Sequence, residues 1–353
     1  MNAKVLVTAV GGIVAQGIIK SLKLANLSDS GLVKYRIIAT DMNAQAPGLY
    51  RCHNGFLLPS ANSTDYIESI VKIARDEDID AIYVGSDEEL LIIGKSMKRI
   101  ESESRAKVLS SPIEVLTTGR DKWKTYLFLK RNNLPVPGSA LPVDAEKFVK
   151  EFDYPIVVKP REGYGSLFFY LVRCKSEMKQ AISNIQKAGW HALLQEYING
   201  NNIEYTSGVT VDRFGKYVMS SVSIQKTIKN GQTYKAFIDD YREVRRSSEE
   251  AAIKLGGRGS INIQAKLVRN KPKIFEINPR FSATCPMRSA AGINEPDIVF
   301  RNSVLGEEIK LKRYRRLVCM RYWNEVYTDF HTYEKARSTG RVGDNNSFTL
   351  NYF

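Results

Sequence analysis

Two consecutive strand-like segments in the C-terminal half of the chain carry one carboxylate and two side-chain amides. Glu276 and Asn278 are two residues apart, so on a β-strand both side chains lie on the same face. Gln264 lies one hairpin earlier. Mg²⁺ prefers such oxygen ligands and usually binds together with substrate phosphates. Arg280 follows, and its guanidinium could bind a phosphate or a carboxylate through two parallel hydrogen bonds. The pattern favours an enzyme that uses Mg·ATP.

The apolar segment 156–160 contains a lysine and is followed by a glycine-containing turn. Lys159 lies near the end of that segment, and Gly163, Gly165 and Ser166 come shortly after it. Glycines let backbone N–H groups approach a phosphate, a hydroxyl adds a donor, and the lysine would neutralise phosphate charge. The residue order differs from GxxxxGK[ST], so this is not a Walker A loop. An ordinary hairpin with a solvated lysine is the alternative.

The apolar segment 193–198 runs into an Asn-Gly pair at 199–200, which predicts a strand followed by a turn. Backbone groups at the end of such a strand could bind the edge of an adenine ring, and Glu204 could accept hydrogen bonds from both ribose hydroxyls. A plain strand, a turn and an exposed glutamate explain these residues better when they are taken alone.

Lys122 stands at the predicted start of a helix, in the segment Gly-Arg-Asp-Lys-Trp-Lys. The helix dipole disfavours a cation at this end unless an anion lies nearby. Lys122 is therefore a second candidate for a phosphate contact, and a solvated lysine is the alternative.

Composition limits the class of protein. The chain has 353 residues, enough for two or three domains, and its 43% apolar and 25% charged residues are ordinary for a globular protein. No apolar segment approaches the roughly 20 residues of a membrane span, and the N-terminal residues lack the pattern of a signal peptide. We therefore expect a cytoplasmic protein without a membrane partner.

Cysteine spacing and charge exclude further classes. The four cysteines are far apart and only three histidines are present, so we expect neither a zinc site nor a disulfide framework. The 52 basic and 38 acidic residues give a net charge of +14, with local clusters at 242–246 and 310–316. Anionic small substrates or a solvated basic surface explain this charge at least as well as nucleic acid does, and we expect no nucleic-acid partner.

Helical and strand-like segments alternate up to about residue 115, which predicts a parallel α/β sheet. Its segments are strands at 4–10, 36–40 and 81–84, helices at 18–27 and 66–76, and a helix that begins after Gly85. The rest of the chain predicts an α+β unit with antiparallel strands. Its segments are helices at 121–133, 175–188 and 247–255, strands at 154–160, 167–173, 193–198, 261–268, 274–278 and 317–323, and antiparallel strands within 203–237.

In this order, the segments resemble the ATP-grasp superfamily, and most closely its carbamoyl-phosphate-synthase-like branch. The resemblance runs from residue 4 to about residue 306. The pieces that carry it are Asp121-Lys122 before a helix that ends in Val-Pro, Val-Val-Lys159-Pro, the glycine-containing loop, Gln195-Glu-Tyr-Ile with Gly200 and Glu204, and Gln264 followed by Glu276-Ile-Asn278-Pro-Arg280. Each piece alone is common, whereas their order and spacing together are specific.

The resemblance implies an N-terminal Rossmann-like pre-ATP-grasp domain followed by a two-subdomain ATP-grasp fold. We expect the Rossmann-like domain at 1–115 and the small subdomain, with its phosphate-binding lid, at 116–190. The large subdomain with the metal site is expected at 191–310, and a C-terminal extension at 311–353.

The resemblance also implies a nucleotide site. Lys122 and Lys159 would contact the phosphates of ATP, and Gly163, Gly165 and Ser166 would form a flexible lid. A closed lid excludes water and protects a reactive acyl phosphate. The residues that would contact adenine and ribose are Glu196, Tyr197, Ile198 and Glu204.

The implied metal ligands are Gln264, Glu276 and Asn278, which would hold Mg²⁺ or, as an alternative, Mn²⁺. The implied catalytic residues are Arg280, which would lie by the γ-phosphate and the acceptor, and Lys159, which would contact the ATP phosphates. Many relatives carry an acidic residue where Gln264 stands, and a neutral amide binds Mg²⁺ less well than a carboxylate does.

Gly11, Gly12 and Gly17 with the later Asp41 imitate a dinucleotide-binding fingerprint, but the spacing is not GxGxxG. In the superfamily that the chain resembles, the equivalent domain helps to form the acceptor pocket and does not bind NAD. We therefore expect no NAD. The candidates for that pocket, with a simple helix cap as the alternative, are Ser86, Asp87 and Glu88.

The implied activity is that of an ATP-dependent carboxylate–amine (or carboxylate–thiol) ligase. A carboxylate would attack the γ-phosphate, and the acyl phosphate would then react with an amine. The alternatives are a phosphoryl or carbamoyl-phosphate-type transferase and a non-catalytic nucleotide-binding protein. A full carbamoyl phosphate synthase resembles two such units in tandem, whereas this chain has one. The expected partners are a small carboxylate and an amine. Two roles are possible for the C-terminal segment: it closes the ligase domain, or it forms the contact of a homodimer.

Overall fold

The computed structural model describes residues 1–28, 31–163, 167–199, 203–229, 231–322, 324–343 and 347–350. These residues form three β-sheets with helices packed against them, so the expected α/β unit followed by an α+β unit is confirmed. None of the described helices is long and apolar enough to cross a lipid bilayer.

The first sheet is parallel and carries helices on both faces. Its elements are β1 (Asn2–Val7), α1 (Ile13–Leu27), β2 (Lys34–Asp41), a 3₁₀ helix (Pro47–Arg51), β3 (Asn54–Leu57), α2 (Tyr66–Asp76), β4 (Ala81–Tyr83), α3 (Asp87–Ser104) and β5 (Lys107–Val108). These strands lie in the order β3-β2-β1-β4-β5. Val5 and Val7 pack on the α1 side, whereas Leu6 packs on the α2 and α3 side. Burial of both faces explains why β1 reads as a continuous apolar run.

The second sheet is small and antiparallel. It follows α4 (Ile113–Arg120) and α5 (Lys122–Arg131), and contains β6 (Ser139–Ala140), a 3₁₀ helix (Pro142–Asp144), α6 (Ala145–Phe152), β7 (Ile156–Pro160), β8 (Tyr170–Val172), α7 (Lys175–Lys187) and β9 (Ala192–Glu196). The strand order is β6-β9-β7-β8. Ile156, Val158 and Leu194 belong to its core with α6 and α7. Period-2 alternation therefore turns Lys159 and Gln195 to the opposite face.

The third sheet is the largest antiparallel one. Its elements are β10 (Glu204–Val211), β11 (Val218–Lys229), β12 (Gln232–Ile238), α8 (Arg242–Lys254), β13 (Gly259–Val268), β14 (Lys271–Asn278), α9 (Cys285–Ala290), α10 (Glu295–Ser303) and β15 (Leu317–Met320). The strand order is β14-β13-β10-β11-β12-β15. Odd-numbered residues such as Tyr205, Ile261 and Ile263 pack against α8, which leaves the even-numbered neighbours on the other face.

The C-terminal segment is shared between two sheets. β15 pairs with β12 of the third sheet. After α11 (Phe330–Thr339), β16 (Arg341–Val342) pairs antiparallel with β3 and extends the first sheet. The strand expected at 317–323 is thus confirmed over 317–320. The pairing of β16 was not expected, because two residues are too short to show an alternating pattern.

Candidate functional site

A cleft of about 530 Å³ lies between the second and third sheets, and it is also bordered by the first domain, which is the first sheet with its helices. The first domain contributes Ile13, Val14 and Asp87 to the wall. The cleft brings together most of the residues that the sequence assigned to a site. Those that line it are Lys122, Lys159, Gly163, Glu196, Tyr197, Ile198, Glu204, Gln264, Glu276, Asn278 and Arg280. Gly165 and Ser166, expected in the lid, lie outside the described residues.

The floor of the cleft is the polar face of the third sheet. Strand register places Gln264 opposite Glu276, and Thr206 opposite Gln264. The Gln264 amide nitrogen donates to Glu276 Oε2 over 2.7 Å, which ties β13 to β14. The predicted hairpin and the predicted proximity of Gln264 to Glu276 are therefore confirmed. Asn278 lies opposite Asn262 at the end of the same ladder.

Lys159 faces this floor from β7. Its Nζ donates to Gln195 Oε1 over 2.8 Å and lies 5.7 Å from the centre of the Phe275 ring. The residue is only 7% exposed. Burial first, and the nearby Lys122 second, lower the pKa of Lys159 to about 7, although Glu276 and Glu204 oppose that shift. An added anion beside Lys159 would favour its charged form.

Lys122 begins α5, and its surroundings explain a cation at that end of a helix. Asp121 caps the helix by accepting from the backbone N–H of Trp123 over 2.9 Å. Lys122 Nζ donates to the carbonyl of Gly163 over 2.9 Å and lies 3.8 Å from Glu276 Oε1. The lysine therefore links the glycine-containing turn to the carboxylate of β14, and its role in phosphate binding stays a prediction.

Two further lysines of the floor were not predicted from the sequence. Lys226 on β11 is 7% exposed; its Nζ donates to Gln264 Oε1 over 2.6 Å and lies 3.4 Å from Glu204 Oε2. Lys266 on β13 lies 3.6 Å from Glu204 Oε1. Glu204 is thus held between two ammonium groups. The alternation that puts 264 and 266 on one face could have indicated Lys266, whereas Lys226 resembles any polar residue of a long strand.

The segment after β9 is positioned through Glu196. Its carboxylate accepts from Lys273 Nζ, with 2.7 Å to each oxygen, and from the backbone N–H of Gly138. The Glu196 backbone N–H donates to the carbonyl of Gly138 over 2.8 Å. This N–H is therefore not available to an adenine ring, which restricts the predicted role of Glu196 to its carbonyl group.

Arg280 lies where the first domain meets the cleft. It donates to both carboxylate oxygens of Asp87, over 2.9 and 2.8 Å, and Arg120 lies 3.3 Å from the same carboxylate. Burial opposes the charge of Asp87, but Arg280 and Arg120 outweigh it and lower the pKa of Asp87 to about 2. Gly119 makes the approach of α4 feasible, because a Cβ there would collide with Pro279.

The structure places the three candidates for the acceptor pocket in different surroundings. Asp87 lines the cleft, whereas Ser86 caps α3 by accepting from the backbone N–H of Glu89 over 3.3 Å. Glu88 is exposed. The helix-cap alternative is therefore right for Ser86. The dinucleotide-like turn is also explained locally, because the Gly11 N–H donates to Asp41 Oδ2 over 2.7 Å and so occupies that carboxylate.

Comparisons with known proteins agree with this geometry. Residues 119–284 match the family model described as an ATP-grasp domain, and residues 13–108 match the one described as a PylC-like, N-terminal domain. The carbamoyl phosphate synthase large chain of Helicobacter pylori strain J99 is 25% identical over 299 residues, which cover 76% of this chain. The chain spans 27% of the length of that relative.

Two solved structures illustrate the likeness of fold. The biotin carboxylase domain dimer of the Hydrogenobacter thermophilus 2-oxoglutarate carboxylase, in complex with MgADP, ADP and bicarbonate, has a TM-score of 0.70 at 16% identity, covering 99% of this chain and 83% of that one. An L-amino acid ligase from Bacillus licheniformis has a TM-score of 0.62 at 15% identity, covering 86% and 74%. At these identities the likeness shows the fold alone.

Proposed function

Because the chain carries an ATP-grasp domain behind a PylC-like N-terminal domain, we propose that it is an ATP-dependent carboxylate–amine ligase that acts through an acyl phosphate. The observation that carries this proposal is the convergence of Lys159, Lys122, Glu276 and Arg280 on one cleft. The cations come from different elements, and the carboxylate of Glu276 lies in the same cleft, 3.8 Å from the Nζ of Lys122. Several cations beside a carboxylate suit a polyphosphate with a divalent ion.

The nucleotide would lie along the cleft with its phosphates toward Lys122 and Lys159. Lys159 donates to a neutral amide, whereas Lys122 donates to a carbonyl and also lies 3.8 Å from Glu276 Oε1. The base would lie by Tyr197 and Ile198, and the ribose by Glu204, whose carboxylate is fixed by two lysines. Gly163, Gly165 and Ser166 keep their proposed role as the lid over the phosphates.

The donor set fits a hard divalent ion that phosphate oxygens also ligate. Glu276 offers a carboxylate, and Asn278 offers an amide oxygen on the same face of β14. Gln264 presents its amide nitrogen to Glu276 and its oxygen to Lys226, so its amide would have to reverse before both side chains could ligate one ion. We therefore propose Glu276 and Asn278 as the principal ligands of Mg²⁺, with Mn²⁺ as a substitute and Gln264 as a further ligand. A bound divalent ion would neutralise charge on the phosphates.

The chemistry would need positioning more than a side-chain nucleophile. A carboxylate oxygen of the substrate attacks the γ-phosphorus, the bond from that phosphorus to the β,γ-bridging oxygen breaks, and ADP leaves. The amine nitrogen then attacks the acyl carbon, and the carbon–oxygen bond to phosphate breaks, giving an amide and inorganic phosphate. Lys159 and Arg280 would stabilise the charge that develops on the transferred phosphoryl group.

The two solved structures support the carboxylate as the activated group. One was solved with MgADP and bicarbonate, and the other is an L-amino acid ligase. We propose an anionic acceptor for this chain, because Arg280 lines the part of the cleft next to the first domain, and Arg120 lies beside the same Asp87 carboxylate. A cytoplasmic location stays a prediction. A homodimer also stays a prediction, and analytical sedimentation would measure the oligomeric state.

The test is ADP release with Mg·ATP across amino acids, sugar acids and bicarbonate, each with and without a panel of amines. A ligase gives ADP formation that requires a carboxylate, is increased by an amine and is lost in Glu276→Ala. Release of ADP that needs no carboxylate would favour the transferase alternative. Binding of Mg·ADP without turnover on any combination would favour the non-catalytic alternative.

A further inference from the structure

A second cavity, of about 430 Å³, borders the first domain and shares no lining residue with the cleft. It is formed by α1, the 3₁₀ helix 47–51 with the residues after it, and the C-terminal segment. Lys23, Arg51 and Cys52 form its polar side, and Tyr50 and Phe348 contribute aromatic rings. A cavity of this size suits a small molecule.

The cations around this cavity lack carboxylate partners. Lys23 and Arg51 line it, and Lys20 lies one turn earlier on α1. Within the part of the chain that the structure describes, none of these three side chains forms an ion pair. Lys23 and Arg51 therefore meet at one concave surface, and no carboxylate among the described residues is paired with either of them.

Positive charges act on both lysines of the cluster. Burial first, and Arg51 second, lower the pKa of Lys20; Arg321 of the C-terminal segment adds to that effect and Cys319 opposes it. Burial also lowers the pKa of Lys23; Cys52 opposes that shift and Arg51 adds to it. No carboxylate contributes to either shift. Like charges held together in a concave surface destabilise the folded chain, and a bound anion would relieve that repulsion.

We propose that this cavity binds a phosphate-bearing small molecule, at a site separate from the nucleotide cleft. A phosphate group carries close to two negative charges and three acceptor oxygens, which match several converging cations better than a single carboxylate does. Arg51 supplies a planar fork of donors, and Lys23 supplies a point charge. Tyr50 and Phe348 would contact the organic part of the ligand.

Calorimetric titration with inorganic phosphate tests this site, with Mg·ADP present in excess to occupy the nucleotide cleft. The K23Q/R51Q double variant removes two cations of the cavity, and K72Q removes one exposed cation from α2 as a matched control. We expect saturable phosphate binding in the unmodified chain and in K72Q, and an affinity at least about tenfold lower in K23Q/R51Q.

The proposal is overturned if the unmodified chain shows no saturable phosphate binding, or if K23Q/R51Q binds phosphate as tightly as K72Q does. Retained Mg·ADP binding by K23Q/R51Q shows that the variant is folded. If the double variant does not fold, the single variants K23Q and R51Q are compared with K72Q by the same criterion. The comparison between variants does not depend on ligase activity, so it holds even if the proposed function fails.

Discussion

Arg280 and Asp87 form a two-pronged ion pair that joins the cleft to the first domain, with N–O distances of 2.9 and 2.8 Å. They are far apart in sequence, and both side chains are almost buried. The guanidinium that the sequence assigned to a phosphate is thus already held in a fixed orientation by a carboxylate of another domain. Asp87 is therefore a positioning residue for Arg280.

The first prediction concerns this pair. Asp87→Asn should lower the free energy of unfolding by about 3 kcal/mol, because it leaves two buried guanidinium groups without their shared carboxylate. Thermal or denaturant unfolding measures the loss. Glu88→Gln, at the exposed neighbouring position, is the matched control and should change stability little. Equal stability of the two variants would contradict a structural role for the pair.

The same pair sets a pH dependence. The pKa of Asp87 is lowered to about 2, so its stabilising contribution is complete above the ordinary value of 3.8 and is lost as the pH falls through about 2. The free energy of unfolding of the unmodified chain should therefore fall as the pH approaches about 2, and this part of the fall should be absent in Asp87→Asn. Parallel acid-unfolding curves for the two proteins, offset by a constant amount, would show that Asp87 does not titrate in this way.

Lys159 gives the next prediction. With a pKa of about 7, it is largely neutral in the free protein at about pH 8, whereas a polyphosphate beside it favours the charged form. Nucleotide binding should therefore take up a proton, and affinity should fall as the pH rises above 7. Calorimetry of ADP binding in buffers with different ionisation enthalpies measures the proton uptake. Lys159→Gln should bind more weakly and without that uptake; unchanged uptake would assign the proton to another group.

We predict that Lys226 contributes to nucleotide binding, although its sequence context gives no indication of this role. Its ammonium holds both Gln264 and Glu204, so Lys226→Met should weaken Mg·ADP binding by about tenfold or more by leaving the Glu204 carboxylate under-compensated. Lys229→Met, on the exposed part of the same strand, makes the same change in charge and should have little effect. Equal ADP dissociation constants in the two variants would show that Lys226 does not contribute to nucleotide binding.

The next prediction concerns Gly208 of β10 and the stability of the chain. Arg288 and Glu295 are fully buried and paired, and a Cβ on Gly208 would collide with both side chains. Gly208→Ala should therefore destabilise the chain by about 3 kcal/mol or more, since it separates a buried pair. Gly189→Ala, where no atom lies near the added Cβ, should cost about 1 kcal/mol through its positive φ. Chemical denaturation measures both.

Local patterns in the sequence predicted much of the site. The helix at 66–76 was predicted with its observed bounds, and the hairpin that pairs Gln264 with Glu276 followed from period-2 alternation. Lys159 was recognisable because a charge at the end of an apolar strand is unusual. These features depend on neighbours within one element or one hairpin, which the chain encodes locally.

Long-range relationships could not be predicted in the same way. The Asp87–Arg280 pair, the two lysines that hold Glu204 and the locking of Glu196 by Lys273 all depend on how separate elements pack. Helix α1 begins at Ile13, earlier than the expected residue 18, and Asp41 accepts from the Gly11 N–H of the turn before it. Sequence spacing does not report such tertiary partners.

The most direct test of the central claim is transfer of ¹⁸O from a labelled carboxylate substrate to inorganic phosphate during turnover with Mg·ATP. An acyl phosphate requires the carboxylate oxygen to remain on phosphorus when the amine displaces the phosphate, so we predict phosphate with one labelled oxygen. Phosphate that takes its new oxygen from water, with none from the carboxylate, would contradict the ligase mechanism.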